Sequence, residues 1–343
     1  MTEQALQDAI LRNSLQVLRY AAGQQERVDE ILVELARELK DLVATGKLSA
    51  DQARDVNALI KQAEATISLG YKRADAGVDT YELAQAIAEK TQEIIQDVIP
   101  APVQLPTDAV LFKLGKDVLI DGAPSSAWWA RQSDDLAFRF AAQVRQGIAN
   151  SETQEQIVAR IVGRRGEPGI MDTARRNARA LVHSSVMSAA NRARLETYRK
   201  NGKLIKGVRW LATLDGHICP RCAALDGQAW NLDGEKLAGT TVSFIAPPIH
   251  FGDRCVLSPI AKTFRDIGLD IPEPKQGGQR ASSLGPVHGK TTFDDFLARQ
   301  SPEFVQRVLG KKRADMWKAG KITVRDLVSG VGRELTIDEL RTH

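Results

Sequence analysis

Every cysteine of the chain falls into one local pattern: Cys219 and Cys222 in the run HICPRC, then His250 and Cys255 in the run PPIHFGDRC. A Cys-x-x-Cys pair answered downstream by a His/Cys pair has the spacing of a structural zinc site. The pattern constrains the fold because four side chains must meet at one point, and the chain between Cys222 and His250 has to turn back to bring them there. Zinc held by Cys219, Cys222, His250 and Cys255 is the first reading. Three reduced cysteines that merely pack in a core, and a Cys219–Cys222 disulfide, are the alternatives. The disulfide would be strained and belongs mostly to redox proteins, whose CxxC sits at a strand-to-helix junction of a βαβ unit that nothing here resembles. His217 is a spare candidate for the fourth ligand and Asp253 a weaker one.

Three cysteines in 343 residues also point away from a disulfide-built secreted scaffold. No segment near the start has the charged-then-apolar design of a signal peptide. No apolar run approaches the roughly 20 residues of a membrane span. A cytosolic protein without a membrane partner is the expectation. The net charge of +4 is compatible with a polyanion but too mild to demand one, and 5% aromatic residues are too few for a base-stacking platform.

The first hundred residues read as successive helices. Val28, Ile31, Leu32, Leu35, Leu39 and Leu42 recur at three- and four-residue steps, as do Leu83, Ile87, Ile94, Ile95 and Val98 before Pro100. Between them Ala53, Val56, Ile60, Ala63 and Ile67 form a third stripe that Gly70 is expected to end. Such stripes either pack on one another or dock on a partner. After Pro100 the runs 110–114 and 118–120, on either side of Gly115-Lys116, predict a hairpin. A helix with Leu136, Phe140 and Val144 follows, then one that opens at Ser151 with Gln154 at capping-box spacing.

From Asp172 to Lys200 the pattern predicts a long helix with a small-residue inner stripe: Ala174, Ala178, Leu181, Ser185, Ala189 and Ala193. Its outer face is expected to hold Arg175, Arg176, Arg179, Arg192, Arg194 and Arg199, either as a solvated face or as contacts to phosphate or an acidic partner. Alternation at Val208, Trp210 and Ala212 predicts a strand that leads into the CPRC loop, and Ala229-Trp230 a second one. Ile271 to Gly289 is rich in Pro, Gly, Ser and Gln and reads as a flexible linker. Beyond it short helices are expected to start at Thr291, Ser301, Thr323 and Thr336. The predicted class is α+β, predominantly helical. A helical N-terminal region (1–100) suits docking, a connecting segment with the hairpin spans 101–129, and a core of helix plus small β element with a zinc knuckle spans 130–270. The linker (271–289) and a helical C-terminal region (290–343) complete the chain.

Taken in order, ARALVHSSVMSAANRARLETY, GVRWLATLDGHICPRCAALDGQAW and APPIHFGDRC, followed by TTFDDFLARQSPEFVQRVLGKKRADMWKAGKITVRDLV, resemble the Mu F-like minor head proteins of tailed bacteriophages, the phage head morphogenesis proteins. The resemblance covers about residues 130–330 and rests on W-x-x-x-x-D, C-x-x-C-x-x-L-D-G, P-P-x-H and the closing cysteine. It implies a low-copy virion protein, internal or associated with the portal vertex, assembled in the host cytoplasm. Its implied partners are the portal protein, with scaffold or major capsid protein as further candidates, and packaged double-stranded DNA, whose ejection it would aid. Two departures stand out: the family usually has Cys-Arg-Cys after the P-P-x-H histidine, where this chain has Asp253, and many members lack the CxxC pair.

No GxSxG elbow, P-loop, HExxH or Gly-rich dinucleotide loop is present. The enzymatic alternative is a zinc-supported HNH-like nuclease using Asp215, His217 and His250, but His250 would then serve as both ligand and catalyst, and the paired His–Asn is missing. A zinc-bearing nucleic-acid adaptor is the other alternative, and a non-enzymatic head protein is the expectation.

Overall fold

The structure is a computed structural model that describes residues 2–48, 52–272 and 278–342. In chain order its helices are α1 (Thr2–Thr45), α2 (Ala53–Ala76), α3 (Thr80–Val98), α4 (Asp108–Lys116), α5 (Ser125–Ala149), α6 (Gln154–Val162), α7 (Ile170–Lys200), α8 (Pro220–Leu225), α9 (Phe293–Leu297), α10 (Pro302–Leu309), α11 (Lys311–Lys318) and α12 (Ile337–Thr342). The strands are β1 (Leu119–Ile120), β2 (Ala123–Pro124), β3 (Ile205–Leu211), β4 (Ala229–Asn231), β5 (Val256–Ala261), β6 (Gln279–Arg280) and β7 (Val287–His288). The architecture is therefore α+β and predominantly helical, as the sequence predicts. Two compact units divide the chain: one comprises Met1–Leu18, Tyr81–Lys116 and Met187–His343, the other Arg19–Thr80 and Asp117–Val186. Each draws on separated stretches of chain.

In the second unit Val28, Leu32, Leu35, Leu39 and Val43 of α1 are wholly buried, and α2 buries Ile60, Ala63 and Ile67. Gly70 does not end α2, which continues to Ala76; a Cβ at Gly70 would stand 3.0 Å from the Leu35 side chain, so this glycine permits close helix approach. α2 packs on α5, with Tyr71 and Trp129 meeting edge to face at 6.1 Å. α6 is capped by Thr153, whose side chain and Gln156 form a reciprocal capping box, two residues beyond the Ser151 start that the sequence suggested. Ser151 instead takes a left-handed backbone, with φ 56°.

The hairpin also lies further along than expected. Residues 108–116 form α4, in which Leu111 and Leu114 bury one face beside Ala88. An apolar run carries no period that separates a short helix from a strand. The two-residue strands that do pair, β1 and β2, turn at Asp121-Gly122, both with positive φ, which is the Asp-Gly signal of a tight hairpin.

The first unit holds a three-stranded antiparallel sheet in the order β4-β3-β5. The sequence pattern does not signal β5, because Pro259 interrupts VLSPIA; this proline sits on an edge strand opposite Val208, where a missing N–H is tolerated. In the same unit α7 carries small residues toward the sheet side: Ala189 and Ala193 are wholly buried, Asn191 Nδ2 donates to the Cys255 carbonyl at 3.1 Å, and the Tyr198 hydroxyl donates to the Leu257 carbonyl. Part of the predicted linker, 273–277, lies outside the described residues. Its remaining residues are not featureless, since β6 and β7 pair and Arg280 is buried. Ser301, Thr323 and Thr336 cap as predicted, while α9 is capped by Thr292 with Asp295 instead of by Thr291. Asp294 ties these short helices together by accepting from Trp317 Nε1 and the Val324 N–H.

Candidate metal centre

β3 ends at Leu211 opposite Val256, the first residue of β5. The chain leaving β3 toward Cys219 and the chain arriving at β5 through Cys255 therefore start from the same end of the sheet. Register brings the two halves of the Cys/His pattern together. The CPRC segment is not an open loop: Cys219 is the N-cap of α8, Pro220 occupies its first turn, and the Cys222 N–H donates to Cys219 Sγ at 3.3 Å.

His250 Nε2 lies 3.2 Å from Cys219 Sγ and 3.2 Å from Cys222 Sγ. Its Nδ1 donates to the Phe251 carbonyl at 2.8 Å, so Nε2 is the nitrogen that faces the sulfurs. Cys219, Cys222 and His250 form one group whose donor atoms all lie within 4.8 Å of one another; Cys222, Asp253 and Cys255 form a second. Cys222 belongs to both. Cys255 thus adjoins the first group through Cys222 without sharing its shell. His217 is exposed and belongs to neither group.

Crowded thiols must share protons. Its hydrogen bond to Cys222, followed by that to His250, holds the Cys219 thiol down to about 4. Cys222, which supplies protons to Cys219 and also meets Cys255, is pushed strongly up. Cys255 is raised to about 12 by burial, and His250 to about 9 by the Cys219 sulfur. A dication would replace these shared protons. For zinc the sulfur-to-nitrogen edge of a tetrahedron is about 3.5 Å, from Zn–S near 2.3 Å and Zn–N near 2.0 Å, so Cys219 and Cys222 already stand within a few tenths of an ångström of it from His250, while Cys255 would have to draw in. The imidazole tautomer also fits, because a ligating histidine commonly fixes its other nitrogen on a carbonyl. The residues present suit a metal of this kind, which would cross-link α8 to the 249–255 segment.

Asp215, a candidate acid in the nuclease reading, is engaged with both oxygens by Arg254 at 2.7 and 2.8 Å. Burial pushes its carboxyl up, but the Arg254 guanidinium and the His217 N–H outweigh it and hold the group below the usual range. Arg221, inside the CxxC, donates to the carbonyls of Gly332 and Ile249 and so ties α8 to the C-terminal residues. Sequence reasoning missed the buried pair of Asp226 and Arg280, joined at 2.6 Å with side chains 3% and 6% exposed. Asp226 also accepts from the Ala212 N–H, and Arg280 donates to the carbonyls of Ala212 and Thr291. The L-D-G of the motif hinted at Asp226, but nothing in a Gly/Ser-rich stretch singled out Arg280.

The α7 arginines do not form one outer face. Arg194 is wholly buried, donating to Asn13 at 2.7 Å, and burial lowers its pKa. It cannot meet an external phosphate there. Arg175 is bound bidentately by Asp29 at 2.6 and 2.8 Å. Arg199 pairs with Glu196, and Arg192 is half-buried. Arg176 and Arg179 are exposed, the latter 4.0 Å from Asp29. An i,i+3/i+4 pattern places arginines on a helix but cannot say which flank is covered.

Residues 139–258 match the family model of Phage Mu protein F like protein, the family that the motifs resemble. The segment is thus Mu F-like over roughly a third of the chain, and it contains the whole Cys/His cluster. No curated protein and no solved structure gives a significant match.

Proposed function

We propose that the chain is a head morphogenesis protein of a tailed bacteriophage, a minor structural component of the virion associated with the portal vertex. The observation that carries this reading is the Mu F-like match over residues 139–258. Portal protein is the proposed partner, with scaffold or major capsid protein as further contacts. No helix among the described residues is long and apolar enough to cross a membrane. The apolar stripes of α1 and α2 are largely spent on internal packing, so docking by residues 1–100 would rest on their outer, mostly charged faces, with Leu15 and Leu69 as exposed apolar points.

Within this role the Cys/His cluster holds zinc as a structural staple, with Cys219, Cys222, His250 and Cys255 as ligands. What supports this is the convergence of two sulfurs on Nε2 of His250, with Cys255 adjoining them through Cys222. Contact with packaged double-stranded DNA, and a part in its ejection, falls to the exposed Arg176 and Arg179, since Arg175 and Arg194 are committed elsewhere. The nuclease alternative finds Asp215 already ion-paired and His217 outside the cluster, so a structural role is the reading adopted.

Co-purification of the tagged chain with the portal, scaffold and major capsid proteins of the same genome tests the reading. Retention of the portal protein is expected. A chain that is absent from purified heads and retains none of the three would overturn it.

A further inference from the structure

The geometry points to Asp253 as the positioning residue of the metal centre, with Cys255 and not Asp253 completing a Cys3His ligand set. The inference rests on the zinc reading above and concerns how the second half of the site is built. Asp253 and Cys255 stand as rivals, since each adjoins the Cys219–Cys222–His250 group through Cys222.

Their existing partners separate them. Asp253 Oδ2 accepts from the Ile249 N–H at 2.9 Å, and Oδ1 accepts from the Cys255 N–H at 2.8 Å. One carboxylate thus spans the residue just before His250 and the residue that carries the last thiol. It closes the 249–255 turn on itself, with Gly252 supplying the left-handed backbone at φ 79°. Asp253 is 2% exposed, so its oxygens could leave these N–H groups only by stranding buried donors without water to replace them. The Cys255 sulfur, by contrast, bonds only to side chains, those of Cys222 and Asp253, the residue is 2% exposed, and its backbone carbonyl is held from the other side by Asn191. A thiolate also matches the softness of a site that already offers two sulfurs and an imidazole.

Asp253 Oδ1 is 3.6 Å from Cys222 Sγ, which places the carboxylate just behind the ligands. Residues in such a position orient ligands, and their removal typically weakens metal binding about 10–100-fold while leaving the ligand set unchanged.

The experiment uses the full chain loaded with zinc or, as a spectroscopic probe, cobalt(II). Asp253→Asn keeps the size of the side chain but puts an NH2 group where one N–H is accepted. Chelator competition should show about 10–100-fold weaker zinc binding for Asp253→Asn at unchanged stoichiometry, and its sulfur-to-cobalt charge-transfer band should match that of the wild type. Cys255→Ser should lose about a third of that band. Should Asp253→Asn prove insoluble, Asp253→Ser, whose hydroxyl still accepts one N–H, takes its place with the same readouts. A band altered by the Asp253 change, or preserved in Cys255→Ser, would make the carboxylate the ligand and overturn the inference. So would unchanged zinc affinity in Asp253→Asn. Wild-type protein that binds no metal would instead remove the zinc reading on which all this stands.

Discussion

The helical unit of Arg19–Thr80 and Asp117–Val186 and the sheet with its Cys/His loops are stabilised on different principles. In the first, stability is spread over many apolar contacts of similar size, such as those of Leu35, Leu39, Ile67 and Phe140, each wholly buried. Loss of any one leaves its neighbours in place. Around β3, β4 and β5 the sheet has an apolar core of its own, with Val208, Trp210, Trp230, Val256 and Leu257 wholly buried, but the loops between the strands are held by a few polar groups: the Cys/His cluster, the Asp226–Arg280 pair, and Gln228 accepting from the Thr241 N–H. Few groups do each task, so single changes there should be far more damaging.

The sharpest test of that contrast is the metal. Cys222→Ser, or exhaustive chelation, should strip the site and lower the melting temperature of the sheet-bearing unit drastically, because structural zinc contributes on the order of 10 kcal/mol of binding energy to the folded state. Metal analysis of native protein together with calorimetry reads this, and zinc-free protein with an unchanged melt would end the contrast. Next comes the buried ion pair. Arg280→Met leaves Asp226 charged and unpaired and should cost about 3–5 kcal/mol in urea unfolding, whereas Arg280→Met with Asp226→Leu should recover much of the loss. A double variant as unstable as the single one would show that the backbone bonds to Ala212 and Thr291 matter more than the charges.

In the helical unit, Leu35→Ala should cost about 3 kcal/mol, with Gly70 opposite it limiting collapse into the cavity. A loss as large as that for Cys222→Ser would erase the distinction between the units. The smallest effect concerns Arg175 and Asp29. Hydrogen bonding from Arg175 holds the Asp29 carboxyl below its ordinary value of 3.8. A depressed carboxylate stabilises the folded state above the unfolded pKa and loses that contribution as pH falls through the folded one. Asp29→Asn should therefore cost about 1 kcal/mol at pH 7, limited by the partial exposure of Arg175, and the difference from wild type should shrink as pH falls below 3.8 and through the lower folded-state value. Equal melting temperatures for the two proteins at pH 7 would show the pair to be neutral.

Much of this was legible along the chain. Periodicity marked the stripes of α1, α2, α3 and α7, because a buried helix face repeats every three to four residues whatever it packs against. Cap chemistry located Ser301, Thr323 and Thr336, because the bonds it describes span only three residues. Ligand types and spacing singled out Cys219, Cys222, His250 and Cys255 before any fold was known. Other features depended on partners far away in sequence. Gly70 reads as a stop until Leu35 is seen against it, and the run 110–114 became a helix because Leu111 and Leu114 meet Ala88. Arg194 belongs to a basic helix by pattern, yet Asn13 and burial remove it from the surface. Arg280 lay in what read as linker until Asp226 was found beside it. Local hydrogen-bond geometry and side-chain period are properties of a short stretch, so the sequence determined them by itself. Which face is covered, which charge finds a counter-charge and how the two halves of a ligand set are brought to one end of a sheet depend on strand register and long-range packing, and only the tertiary structure decided those.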